Sequence, residues 1–299
     1  MNRPYASTRD AFVKAMIALS ERDDKYVLVL ADTLLAGRAA KYQEAFPEKV
    51  FDVGIAEQNA LGVSAGLASH SLVPYTLTYA GFLTMRACEQ VRTFIAYPGL
   101  SVKLVGLNGG MFGGNREGVT HQFIEDIGIL RSIPGITITT PADANQAYEA
   151  ALAIAKQDGP CYLRLGSGKE YQIYGENEPF ELGEIRIAEK FGTDVALFSS
   201  GFVLNRVLEA AKILSKQGIN ATVVDVHTLK PLDVDGITEV LALTRCAVTV
   251  EDHNIIGGLG YYVGKVIAEA GISTKFKVLG APDHFVPIAT APYLFHKNE

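Results

Sequence analysis

The chain has 299 residues, 48% of them apolar, and a net charge of −6 with both signs interspersed. That length predicts two domains with ordinary packed cores, and the mixed, mildly acidic charge argues against a nucleic-acid partner and against a basic membrane-binding face. Cys88, Cys161 and Cys246 are scattered and read as reduced thiols; with no secretory signal in MNRPYASTRDAF and no apolar run long enough to span a bilayer, the expected location is cytoplasmic.

In chain order, β-branched runs predict strands over 26–32, 73–79, 101–107, 135–141 and 161–165. Between them AEQNALGVSAGLAS, FLTMRACEQVRTFIAY and DANQAYEAALAIAKQD have helical spacing. Strands separated by helices imply right-handed crossovers and a parallel sheet covered on both faces. The pattern breaks in a charged, glycine-bearing stretch and then restarts. A strand over 195–201, a helix over 203–217 and strands over 221–229 and 247–252 follow, then a helix after GGLG at 257–260 and a strand over 276–282. The expected class is α/β with two tandem, mainly parallel sheets flanked by helices. The first domain is 1–175, the linker 176–190 and the second domain 191–299.

Several residues draw attention for their chemistry. Glu57 opens a helix that otherwise looks buried; it reads either as an acid placed to suit the helix dipole or as a proton donor for a cofactor. Gly62 and Gly66, four apart, read as a face for close approach of a neighbouring backbone. The glycine-rich loop from Gly109 leads to His121 and a helix expected near Phe123. It reads as an anion or imidazole site or as a flexible turn. Tyr79 and Phe82 read as core residues at a helix entrance. The histidines lack metal-ligand spacing, and there is no G-x-S-x-G elbow.

Taken together, VGIAEQNA, TYAGF, GVTHQFIEDIGILRSIPGITITTPAD and HTLKPLD…VTVEDHNIIGGLG follow the order and spacing of the C-terminal half of transketolase. The chain resembles most closely the small subunit of two-part transketolases, and the match covers essentially all of it. The resemblance implies a pyrimidine-binding domain followed by a transketolase C-terminal domain, with thiamine diphosphate and Mg2+ as cofactors. By that matching Glu57 hydrogen-bonds N1′ of the aminopyrimidine and favours the imino tautomer that deprotonates thiazolium C2. The apolar run LGVSAGLA is expected to shelter the acid. Tyr79 and Phe82 match the aromatics that pack on the pyrimidine. Asp32 matches an acid near the thiazolium, and His121 matches a histidine on the sugar hydroxyls beside the reacting carbon. Glu57 and His121 are therefore the expected catalytic pair.

The family's Gly-Asp-Gly…Asn motif for diphosphate and metal has no counterpart here. The resemblance therefore implies an obligate partner, an N-terminal-half subunit that holds the diphosphate and the metal, assembled as a two-plus-two heterotetramer. The residues matching the grip on the sugar's phosphate also depart from the pattern. Arg9 is retained, but Ala36 replaces a serine, Gly109 a histidine and Ser167 an arginine, while Glu117 replaces an aspartate with Arg116 beside it. Each lost charged hydrogen bond corresponds to about 1.5–3 kcal/mol. The expected substrate has a neutral terminus, or an anionic one held differently, for instance by Arg9 and Arg116. Three other readings stand beside this one: the beta subunit of a 2-oxoacid dehydrogenase, 1-deoxyxylulose 5-phosphate synthase, and a non-catalytic regulatory subunit. The histidine of THQ and HNIIGGLG favour transketolase over the first. Met1 directly before a domain start favours a separate subunit over the second, and retention of Glu57 and His121 speaks against the third.

Overall fold

Tyr26–Leu30 is buried at all five positions, as a strand with helices on both faces must be. In the computed structural model, which describes residues 3–111, 117–290 and 293–294, this is β2, near one edge of a seven-stranded sheet. β3 (Val50–Asp52) lies on one side of it. On the other follow β4 (Val73–Tyr79), β5 (Lys103–Leu107), β7 (Cys161–Arg164) and β6 (Thr137–Thr139), all parallel. β1 (Tyr5–Ala6) and β8 (Glu170–Tyr171) form a separate antiparallel ladder. The second sheet runs β14 (Lys275–Ala281), β13 (Cys246–Asn254), β10 (Val195–Ser200), β11 (Ala221–Asp225), β9 (Arg186–Lys190), parallel except for β9.

Helices α1 (Thr8–Ser20), α2 (Ala40–Ala45), α3 (Glu57–Ser69), α4 (Cys88–Gln90), α5 (Asp126–Arg131) and α6 (Ala144–Ala155) belong to the first half. α7 (Leu204–Lys216), α8 (Val234–Leu243) and α9 (Leu259–Glu269) belong to the second. Ser7, Asp143 and Asp233 cap α1, α6 and α8 by accepting a backbone N–H in the first turn. The α/β class expected from the alternation is the one adopted. Among the described residues no helix is long and apolar enough to cross a membrane.

Four local expectations are corrected. The run 221–229 is two strands: after β11 the chain leaves the second sheet, and β12 (Thr228–Lys230) joins the first, antiparallel to β6. The switch is held by the His227 carbonyl, which accepts Thr140 N–H and Thr139 Oγ1–H, each at 2.8 Å. Residues 186–190, expected in a linker, form the edge strand β9, which has no fully buried position and so shows no buried apolar alternation to signal a strand. The helix expected near Phe123 starts at Asp126, because the Phe123 carbonyl is taken by Gly110 N–H at 2.6 Å. The stretch after Tyr79 is helical but widens into π turns at Phe82–Arg86 and Val91–Ala96.

The two halves share one apolar core: Phe123, Ile127 and Tyr162 from the first pack in the same cluster as Phe198, Val224 and Leu259 from the second. Polar groups lock this seam. Arg164 and Asp126, both buried, pair through two bonds of 2.7 and 2.9 Å, and Tyr162 donates to the same carboxylate at 2.6 Å. Arg164 Nη1 also donates to the Asp252 carbonyl across the seam, and Gly128 N–H donates to His253 Nε2. Burial alone would raise the Asp126 carboxyl, but the Arg164 charge and hydrogen bonds overcome it and leave it below the usual range. Burial pushes His253 down to about 4, matching a neutral ring that accepts at Nε2.

At the C-terminal end of β11, Asp225 is fully buried. One oxygen accepts from Tyr174 Oη and Gln146 Nε2, both at 2.8 Å, and the other has no partner among the described residues. Burial raises this carboxyl to about 7. The folded chain therefore keeps a proton that the unfolded chain gives up near about pH 4. The stability this contributes is complete below that lower value and is lost as pH rises from it through the folded value of about 7. Asp225→Asn is expected to flatten this fall in stability, which is worth on the order of 4 kcal/mol in the parent. Denaturant curves at several pH values across the window read it; an unchanged slope would refute it.

Candidate active site

Parallel strands end on the same side of a sheet, so the loops that follow them converge. Here Asp32 follows β2, Glu57 follows β3, Tyr79 and Phe82 end and follow β4, Gly109 to His121 follow β5, and Ser167 follows β7. Arg9, in the first turn of α1 and 158 positions before Ser167 in sequence, reaches the same edge through its bond to the Gly166 carbonyl.

Glu57 is the first residue of α3 and is only 3% exposed. Both of its oxygens accept from Arg86 Nη1, each at 2.9 Å. The Arg86 guanidinium lies over the Phe82 ring, 4.1 Å from its centroid. Phe82 in turn meets Tyr79, His121 and Phe123 edge to face at 5.6, 5.4 and 5.6 Å, and Tyr79 meets His121 at 4.6 Å. A Cβ at position 81 would lie 2.0 Å from the Phe123 ring, so Gly81 is what admits that ring. The structure thus joins the expected acid, both expected aromatics and the expected histidine in one continuous cluster. His121 Nδ1 is 3.0 Å from Thr120 Oγ1, which orients the ring.

The apolar run after Glu57 is expected to help shelter it; Leu61 of that run is fully buried, and Arg86 closes over the carboxylate as well. Gly62 and Gly66 approach no backbone in this chain: a Cβ at either would meet nothing within 4 Å.

The expected phosphate end is rearranged. Arg9 is 8% exposed, and three of its five N–H donors go to protein acceptors: Nε to the Gly166 carbonyl at 3.0 Å, Nη1 to the Ala36 carbonyl at 2.7 Å, and Nη2 to Asn108 Oδ1. Arg9 therefore ties together the loops after β2, β5 and β7 instead of projecting into the cleft, and burial lowers its pKa. Asn108 passes the chain on to Glu117 Oε2 at 3.0 Å. Burial, with Glu117 nearby, raises the Tyr79 phenol, so this network adjoins the aromatic cluster. A Cβ at Gly109 would sit 2.4 Å from Arg164 Nε, so the buried Arg164 takes the room that a side chain there would need. Ser167 is half-buried beside Gly166. Asp32 is exposed at φ 54° and donates its N–H to Asp52 at 2.9 Å, apart from the Glu57 cluster. Arg116 lies outside the described residues.

Three participants escape a reading of the sequence alone. Arg86 is four residues after Phe82, and that helical spacing was the one available sign of a stacked pair. Asn108, at φ 58°, links Arg9 to Glu117, and nothing in its local sequence announces it. Arg38 pairs with Asp10 at 2.7 Å and reaches the Gly168 carbonyl at 3.5 Å, which sets a half-exposed cation beside the Ala36 and Ser167 loops.

A buried carboxylate at the head of a helix, next to the Phe82, Tyr79 and His121 rings, fits the aminopyrimidine end of thiamine diphosphate: the acid meets a ring nitrogen and the aromatics pack on the ring. Among the described residues no group of three or more His, Cys, Asp or Glu is spaced to hold a metal ion.

Comparison with known proteins points the same way. Residues 5–169 match the family model "Transketolase, pyrimidine binding domain", and residues 183–297 match "Transketolase, C-terminal domain". The 6-deoxy-6-sulfo-D-fructose transketolase subunit of Clostridium sp. (strain MSTE9) is 34% identical, covering 99% of this chain and 93% of the relative. An apulose-4-phosphate transketolase subunit of Actinobacillus succinogenes is also 34% identical, covering 91% of this chain and 86% of that relative. Among solved structures, a split-gene transketolase described as an inactive beta4 tetramer superposes with a TM-score of 0.87 at 35% identity, covering 98% of this chain and 93% of its own.

Proposed function

The chain belongs to the transketolase family, and on that premise we propose that it is the pyrimidine-binding subunit of a split, thiamine diphosphate-dependent transketolase that moves a two-carbon ketol unit from a ketose to an aldose. The observation that carries this is the buried Glu57 carboxylate heading α3 at the rim of the Phe82, Tyr79 and His121 cluster. Thiamine diphosphate, when bound, supplies the carbon nucleophile. Glu57 hydrogen-bonds the aminopyrimidine and holds a proton at its ring nitrogen. Phe82 and Tyr79 orient the ring and exclude water from one face, and His121 donates to or accepts from the sugar hydroxyls beside the reacting carbon.

The diphosphate and its Mg2+ are assigned to a second subunit of the N-terminal-half type, so the active site lies where the two chains meet, in a two-plus-two assembly. Support for an atypical sugar terminus comes from three places. Arg9 has three of its five N–H donors engaged by the protein itself, Gly109 leaves no room for a side chain, and Ala36 and Ser167 carry no charge. Among the described residues, Arg38 stands at this end with a half-exposed guanidinium, placed to meet an anion geometrically unlike a phosphate seated on Arg9. Relatives named for a sulfo-sugar and for apulose phosphate are in keeping with a family branch that has altered this end.

The test is to produce this chain with the partner half-enzyme and assay ketol transfer from ketoses ending in phosphate, sulfonate or a free hydroxyl. Turnover is expected only for the pair, with the sulfonated or uncharged ketose preferred. Turnover by this chain alone would sink the two-subunit reading, and preference for xylulose 5-phosphate would sink the altered terminus.

A further inference from the structure

Arg86 reproduces, within the protein, both contacts that the aminopyrimidine is assigned. Its planar guanidinium donates to Glu57 through Nη1 at 2.9 Å to each oxygen, and its plane covers the Phe82 ring at 4.1 Å. With Arg86 in place Glu57 is 3% exposed, so a ring nitrogen reaches that carboxylate only when the guanidinium leaves. Leaving is a side-chain event. Gln58 Nε2 donates to the Arg86 carbonyl at 3.2 Å and keeps the backbone where it is, while the Arg86 side chain is 48% exposed and free to turn outward.

We propose that Arg86 is a positioning residue that occupies the aminopyrimidine's place: it holds the Glu57 carboxylate in its binding rotamer and must be displaced for the cofactor to seat. This deepens the reading of Glu57 given above and rests on it. The guanidinium and the ring compete for one carboxylate edge and one aromatic face, so Arg86 lowers the apparent cofactor affinity by the free energy of its own contacts. A stacked, charge-assisted pair is strong enough for that competition to be measurable.

The experiment titrates thiamine diphosphate, with Mg2+ present, into the two-subunit complex and follows binding by calorimetry, which does not depend on turnover. Arg86→Met keeps the chain length and the contact on Phe82 but removes every donor; Arg86→Gln is the second variant if the first fails to assemble. The expected result is cofactor binding about tenfold tighter than in the parent complex. The gain should vanish when Glu57→Gln is present in both arms, because the pair being broken is then already weakened. Equal or weaker binding by both variants overturns the proposal and makes Arg86 a permanent support for Glu57. A parent complex that binds no thiamine diphosphate overturns the reading of Glu57, and the displacement falls with it.

Discussion

Glu57→Gln, in the assembled two-subunit enzyme, is expected to lower kcat by about a hundred- to ten-thousandfold, the range typical of a lost proton-transfer group. The substitution is nearly isosteric and keeps one oxygen for Arg86, so packing at the head of α3 should survive. Its side chain can no longer release a proton to the pyrimidine nitrogen and recover it, so the loss should fall on kcat while the KM for sugar moves little. Thermal midpoint and subunit co-elution are expected to match the parent. A variant with near-normal turnover would remove Glu57 from the chemistry, and a variant that fails to assemble would make it structural.

The second large effect is expected at the seam between the two sheets. Asp126→Asn leaves the Arg164 guanidinium, 4% exposed, without the carboxylate it is bonded to, and leaving one partner of a buried pair unmatched costs about 3–5 kcal/mol. The double variant Asp126→Leu with Arg164→Met should recover much of that loss, because the pair as a whole offsets its own desolvation only in part. The parent should also lose stability in acid. Asp126 is held below the usual carboxylate range, so its contribution is present above that range and fades as pH falls through the lowered value. Denaturant unfolding of the parent and both variants at neutral and acid pH checks each point. An Asp126→Asn protein as stable as the parent would refute the pairing as a lock. Arg164 also donates to the Phe123 and Asp252 carbonyls, so its loosening should reach the segment carrying His121 and lower activity before global unfolding.

Much of this site is legible in the amino-acid sequence, for physical reasons that can be named. Glu57 alone reads as readily as a helix-dipole acid, and its role becomes legible through the family resemblance that VGIAEQNA carries. Tyr79 and Phe82 stand out because a buried strand ends there and a helical run begins. Their meeting with His121, about forty residues on, follows once the strands are read as parallel, since parallel strands must deliver their loops to one edge. Arg9 is legible as a matched residue but not as one engaged by the protein itself. How far a guanidinium is engaged depends on how many carbonyls converge on it, and three loops from distant parts of the chain do so here.

The order of strand-forming and helix-forming segments and the α/β class were settled by local composition and periodicity, which act over a few residues at a time, while the roles of Glu57, Tyr79, Phe82 and His121 were legible only through the family resemblance. The crossing of β12 into the other sheet, the occupation of Glu57 by Arg86 and the exclusion of any side chain at Gly109 by Arg164 were decided only by tertiary packing. These depend on which distant backbones share space. Nothing in a short window of sequence encodes how close two remote chain segments will come.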